Sequence, residues 1–140
     1  MSRDILDTAR KLVEKNRNVM VGSVDEEGYP NIKMMYNTRD REGIRVFYLT
    51  TNTSSLRARQ FLLNPKACLY FANTRFFNGL LLMGRMEVLQ DDASKRKIWR
   101  AGDEMYYPLG VTDPDYCVFR FTAQSGRYYA HFKSVDFTVE

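Results

Sequence analysis

The chain has 140 residues, 44% apolar and 27% charged, with a formal net charge of +4, which describes one globular domain, residues 1–140, with a real core. No apolar run is long enough to span a bilayer, and the start Met1-Ser2-Arg3-Asp4 lacks the apolar core of a signal peptide, so a cytoplasmic location is expected. The mild positive charge suits a phosphorylated small ligand or weak nucleic-acid affinity and does not decide between them.

Ile5, Leu6, Ala9, Leu12 and Val13 recur at helical spacing among Arg10, Lys11 and Glu14, which predicts an amphipathic helix closed by Asn16-Arg17-Asn18. Residues 19–24 read as a strand and Asp25-Glu26-Glu27-Gly28 as a hairpin turn, with Gly28 free to take positive φ. Residues 30–37 form the second strand. Its alternation puts Ile32, Met34 and Tyr36 on one face and Lys33 and Met35 on the other. Lys33 is a lone charge in an apolar strand. It is either a lysine reaching solvent from a half-exposed face or a cation pointed at a ligand phosphate. Residues 37–43 read as a polar loop and 44–50 as the third strand. There follows Thr51-Asn52-Thr53-Ser54-Ser55, then a short helical pattern closed by Asn64-Pro65. Ser54 or Ser55 suits the N-cap. A helix start offers unpaired N–H groups and a partial positive charge. With hydroxyls, Arg57 and Arg59 nearby, it forms a candidate phosphate seat. On these residues alone, an ordinary capped turn with solvated arginines is the favoured reading.

Residues 66–72 predict a fourth strand and Thr74 to Gly79 a turn with adjacent phenylalanines, Phe76 and Phe77, for which core or interface packing is expected. Residues 80–89 form a fifth strand, and its apolar start, Leu80-Leu81-Leu82-Met83, suggests burial on both faces. Asp91 or Asp92 caps a helix reaching about Arg100. Residues 102–114 read as an irregular loop and a candidate wall of a site. Strands are expected at 116–122, 126–132 and 135–139. Many strands with short turns and about three helices predict a mainly β fold, an antiparallel barrel with helices packed outside it. A dinucleotide fingerprint and a P-loop are both missing. Cys68 and Cys117 lie in apolar runs without CxxC spacing, and His131 is the sole histidine. No metal site is expected, and reduced, buried thiols are. Nothing beside Cys117 or His131 suggests activation of a Cys–His pair.

Five pieces in order carry a resemblance: Gly28-Tyr29-Pro30-Asn31-Ile32-Lys33, Val46-Phe47-Tyr48-Leu49-Thr50-Thr51, Ser55-Leu56-Arg57, Asn64-Pro65-Lys66-Ala67 and Met83-Gly84-Arg85-Met86-Glu87-Val88. Their order and spacing resemble the pyridoxamine 5′-phosphate oxidase-like family of flavin-binding split barrels, from about residue 17 to residue 90 and more loosely to the C-terminus. The resemblance implies a six-stranded antiparallel split β-barrel, a homodimer, and flavin mononucleotide (FMN) in two clefts between subunits. It assigns Lys33 to the place of a strand arginine at the phosphate. Thr50 and Thr51 would supply hydroxyl and backbone contacts, beside Ser54. Ser55 and Arg57 match the serine and cation of the family's Ser-x-Lys/Arg element. Met34, Met35 and Tyr36 would lie along the isoalloxazine ring.

The departures narrow the expected activity. Gly79, with Asn78 beside it, stands where the full oxidases have a glutamine that touches flavin, and their Arg-Leu-Ala-Pro ending is missing. A true pyridoxamine phosphate oxidase is therefore not expected. The chain looks more like the short general-stress-type branch, and Tyr128-Tyr129 falls near that branch's Tyr-Trp pair, as a cofactor neighbour or as barrel packing. The expectation is an FMN-dependent oxidoreductase whose catalytic residues, electron donor and electron acceptor are unassigned. A flavin carries the redox chemistry itself, so no dedicated acid or base is required. Two alternatives stand. One keeps the fold and binds deazaflavin or haem, with His131 as the available axial ligand. The other is a non-catalytic nucleic-acid-binding barrel, disfavoured because the aromatics alternate within strands and no basic cluster is dense.

Overall fold

The computed structural model describes residues 3–139. Its element order is α1 (Arg3–Lys15), β1 (Asn18–Val24), β2 (Pro30–Tyr36), β3 (Asp40–Glu42), β4 (Val46–Asn52), α2 (Leu56–Leu63), β5 (Lys66–Asn73), β6 (Asn78–Leu89), α3 (Asp92–Ile98), β7 (Tyr116–Ala130) and β8 (Lys133–Thr138), with two 3₁₀ turns between α3 and β7. All strand pairs are antiparallel, in the order β2-β1-β5-β6-β7-β4-β3, with β8 also on β7. Six strands carry the barrel wall; the short β3 and β8 are added to it. β2 and β3 each have one strand neighbour, so the wall is split and not closed by backbone pairing.

The long β7 makes this topology work. Its first half pairs with β4 from Asn52↔Tyr116 to Val46↔Thr122, and its second half pairs with β8. Between the halves, β6 slips register at Met83/Gly84. A Cβ on Gly84 would stand 2.0 Å from the Thr122 carbonyl oxygen, so only glycine permits the bulge.

Strand alternation sorts side chains onto two faces. The inner face holds Val21, Phe47, Leu69, Leu82, Phe119 and Phe121, all essentially without solvent contact. α1 covers it with Ala9, Leu12 and Val13, and α2 with Ala58 and Phe61. Asn37 fastens the end of α1, its Nδ2 donating to the carbonyls of Val13 and Asn16, which closes orphan acceptors of the last turn. A second apolar cluster, Val46, Tyr48, Ile98, Tyr107, Tyr116 and Val118, lies on the outer face of β4 and β7.

Three expectations change. Residues 40–42 form strand β3 within the expected polar loop; a short charged edge strand shows no alternation to detect. The expected strands at 116–122 and 126–132 are one strand of 15 residues. Gly126, expected to open the later strand, instead lies within the single long one and lets the Phe137 ring approach to 2.4 Å of where a Cβ would be. The real turn is His131-Phe132, both with positive φ. Third, residues 102–114 fold as two 3₁₀ turns over the outer cluster, with Tyr107 buried against Trp99 and Tyr116. Arg39 makes a two-pronged ion pair with the buried Asp103 there and also donates to the Ile98 carbonyl. This segment caps a packed cluster and does not wall the expected site.

Candidate functional site

β2 is an edge strand whose register sets Lys33 opposite Val21 and Met35 opposite Val19. Directly paired residues share a face, and both valines are buried, so Lys33 and Met35 turn to the inner side. Met35 packs on the core. Lys33 stays exposed because no strand lies beyond β2. Met34 and Tyr36 project from the outer face, 55% and 77% exposed. The expected ring-lining stretch is thus divided between two faces. What its members share is the free edge of β2, where alternate backbone N–H and C=O groups turn away from the sheet.

On β4, Thr51 lies on the inner face after Leu49 and opposite Cys117, while Thr50 sits opposite Val118 on the outer face. The chain then turns into α2. Ser55, not Ser54, is the N-cap: its backbone is extended and its Oγ accepts the Ala58 N–H at 3.1 Å. The Ser55 hydroxyl hydrogen is left to donate elsewhere. Arg57 lies half-buried in the first turn.

Ser54 is already engaged. Its N–H donates to Asp115 Oδ1 at 2.8 Å, the Thr53 N–H donates to the Asp115 carbonyl at 2.7 Å, and Asn52 Nδ2 donates to Asp115 Oδ2 at 2.8 Å. The bonds from Asn52 and Ser54 hold the Asp115 carboxyl below the usual carboxylate range. Sequence reasoning missed Asp115. Its role depends on the β4–β7 register, which a single sequence does not display.

α2 is fastened to β1 by the buried pair Ser23 and Gln60, with Ser23 Oγ donating to Gln60 Oε1 at 2.5 Å. Ser23 faces Asn31, two residues before Lys33 on the inner side of β2. Gln60 is one turn on from Arg57, on a neighbouring face. α2 therefore packs against the end of β1 that pairs with the start of β2, on the inner side that also bears Lys33.

Two buried side-chain oxygens lack a hydrogen-bond partner among the described residues: Thr53 Oγ1 and Asn78 Oδ1. The Cys117 thiol approaches Thr53. A buried, unpaired oxygen is costly; the two lie apart, since the β6–β7–β4 register sets Leu89, at the close of β6, level with Thr50, whereas Asn78 opens β6 eleven residues away. Thr53 falls between Thr51 and Ser55, and Asn78 adjoins the glutamine position of the resemblance. Beside it, a Cβ on Gly79 would stand 1.9 Å from the Tyr70 hydroxyl, so Tyr70 occupies the space a longer side chain there would need. Of Tyr128 and Tyr129, the first packs on the core and the second lies opposite Gly79.

No Cys–His pair exists. Cys117 begins β7, buried, and His131 follows its far end, exposed. Burial pushes both the Cys68 and the Cys117 thiols up. Among the described residues no group of His, Cys, Asp and Glu could hold a metal ion, and no helix is long and apolar enough to cross a membrane. Surface cavities of about 520 and 420 Å³ border the site, one lined by Leu56, Arg59 and Gln60 of α2 and the other by Pro30, Asn31 and Ile32 of β2, but neither is lined by Lys33, Thr51, Ser55 or Arg57. In one copy of the chain the expected site is an open surface.

Residues 5–130 match the family model described as pyridoxamine 5′-phosphate oxidase. The chain belongs to that family. A crystal structure from Clostridium acetobutylicum, of a protein related to general stress protein 26 of B. subtilis and described as of the pyridoxinephosphate oxidase family, is 44% identical to it. The match covers 99% of this chain and 97% of that one, with a TM-score of 0.89. General stress protein 26 from Bacillus anthracis is similar in fold, with 16% identity, 95% and 98% coverage and a TM-score of 0.75. A haem-binding protein from Mycobacterium smegmatis is also similar in fold, with 15% identity, 99% of this chain covered, 59% of that one, and a TM-score of 0.77. No curated protein sequence matches the chain. Membership of the pyridoxamine 5′-phosphate oxidase family accounts for the mainly β split barrel.

Proposed function

We propose that the protein binds FMN and acts as an oxidoreductase of the general-stress type, with a homodimer forming the flavin cleft between subunits. The observation that carries this reading is the β4–α2 turn. Within a few residues, a family member presents Thr51, the free Ser55 hydroxyl and Arg57, with Thr50 offering its backbone, and Lys33 of β2 turns to the same inner side of the wall as Thr51. The two cations match a phosphate monoester, which carries nearly two negative charges, and Ser55 donates to it. The orphaned Thr53 Oγ1 of the same turn is suited to a ligand's hydrogen-bond donor. The free edge of β2 around Met34, Met35 and Tyr36 supplies backbone groups for the rim of a flavin ring. Flavin, when bound, supplies hydride and electron transfer. The chain holds the phosphate, places the ring and limits solvent access.

The second copy is argued from the outer sheet face. Met20, Ile32, Met34, Tyr36, Tyr70 and Met83 are all substantially exposed there on β2, β1, β5 and β6. A contiguous apolar sheet face of this kind marks an interaction surface, and a partner on it would complete the open site. A haem reading has less support. Its axial ligand would be His131, exposed at the tip of the β7–β8 turn.

The test is cofactor identification by mass spectrometry and absorption on protein purified without added ligand, with sedimentation for the dimer. FMN bands and a two-copy mass are expected. Colourless protein that does not quench added FMN at micromolar concentration refutes the reading, and a deazaflavin band or a Soret peak replaces it.

A further inference from the structure

We infer that Asp115 is the positioning residue of the phosphate seat, an inference that rests on the FMN reading above. Three bonds converge on this one residue from three successive residues of the β4–α2 turn. Its carbonyl takes the Thr53 N–H, one carboxylate oxygen takes the Ser54 N–H, and the other takes the Asn52 side chain. Ser55 follows directly, its own N–H bonded to the Asn52 carbonyl at 3.0 Å. The place of the Ser55 hydroxyl, and of Arg57 in the next turn, is therefore set by where Asp115 stands.

Asp115 is itself held from behind. Its N–H donates to Asp113 Oδ1 at 2.9 Å, and the buried Asp113 also accepts the Leu109 N–H. Lys95 of α3, also buried, donates from Nζ to the Asp113 carbonyl at 2.9 Å and stands over the Tyr116 ring. The clamp thus runs from α3 through Asp113 and Asp115 to the turn. Without it, that turn is three short polar residues, Thr53, Ser54 and Ser55, between β4 and α2. Both Asp115 oxygens are spent on donors of the turn, so the carboxylate acts through Asn52, Ser54 and Ser55 and need not touch the ligand.

Riboflavin, which lacks the phosphate, separates this role from general support of the fold. Wild type, Asp115→Ala and Asp115→Asn are titrated with FMN and with riboflavin by fluorescence quenching, and thermal unfolding confirms that each is folded. Asp115→Ala is expected to weaken FMN roughly tenfold, the scale of one lost charge-assisted bond, with riboflavin changed by less than about twofold. Asp115→Asn keeps an oxygen for the Ser54 N–H, and Asn52 can turn its amide to match, so most of the loss is recovered. Equal weakening of both flavins overturns the inference, since Asp115 then serves the fold or the ring. Unchanged or tighter FMN binding by a folded Asp115→Ala also overturns it, while leaving the FMN reading standing. Wild type that binds neither flavin overturns both.

Discussion

Phe61 holds α2, and with it Ser55 and Arg57, on the barrel; Phe61→Ala removes that anchor. The ring is 3% exposed and meets Phe119 edge-on, with centroids 5.3 Å apart. A buried phenylalanine keeps roughly 150–250 Å² from water, worth about 4–6 kcal/mol at about 25 cal/mol per Å². Alanine retains a little of this and leaves a cavity, and such changes cost about 3–5 kcal/mol. Against a total of about 5–15 kcal/mol, the variant stays folded in the cold and melts roughly 10–15 °C lower. Urea unfolding followed by the single tryptophan, Trp99, is a suitable assay, because that side chain packs on Tyr107 and Tyr116 in the outer cluster and not on Phe61. FMN affinity, measured well below the melt, falls with stability because the seat loses its support. A stability loss under about 1 kcal/mol, the size of an ordinary surface change, refutes the packing argument. The expected destabilisation with unaltered FMN affinity refutes the link from α2 to the phosphate.

Gly84→Ala pushes a Cβ to within 2.0 Å of the Thr122 carbonyl oxygen and 2.9 Å of Ala123 Cα, both backbone atoms that cannot step aside. It is expected to cost about 2–3 kcal/mol, and a melt identical to wild type contradicts the bulge. Lys33→Ala and Arg57→Ala are each expected to weaken FMN roughly tenfold through one lost charge-assisted contact, and to flatten its salt dependence, with riboflavin little affected; FMN binding indifferent to both removes the seat. Acid stability reports Asp103. Burial pushes its carboxyl up, but the bonds from Arg39 and the Arg100 N–H outweigh this and leave it lowered. A lowered folded value gives stability that is present above the unfolded pKa of about 3.9 and lost as pH falls through the folded one. Asp103→Asn is therefore less stable at neutral pH and loses less below about pH 4; parallel pH profiles for the two proteins run against this assignment.

Much of the fold is legible because alternation is a local signal. Lys33 and Met35 on one face and Met34 and Tyr36 on the other follow from spacing alone, and the register agrees. The residues that follow narrow the cap to Ser54 or Ser55, and the structure chooses Ser55. What escapes is set by distant partners. Nothing near Gly126 announces that Phe137 will press on it or that residues 123–125 continue the pairing, so one long strand reads as two. β3 escapes because a charged three-residue edge strand resembles a loop. At the site, Asp115 is 61 residues from the Ser54 N–H it accepts, and only the pairing of β4 with β7 brings them together. The sequence pattern picks out the residues of the proposed phosphate seat but not the residue that holds their turn.

The placement of these residues bears on how the proposed site works. Lys33 lies on an edge strand, and the β4–α2 turn is a strand end. Neither belongs to the packed interior, where the phenylalanines leave no room for a cofactor. The two orphaned oxygens, Thr53 Oγ1 and Asn78 Oδ1, lie on different strand ends of the same wall. A barrel that keeps its core full, yet leaves polar groups unpaired at its edges, supports the proposal of a site on the perimeter. A second copy on the outer face of β2, β1, β5 and β6 would wall in that perimeter without altering the core. This is why the proposed cleft is a property of the pair, and why Asp115 matters. With half of the site contributed from outside, the half that each chain brings must already hold its shape.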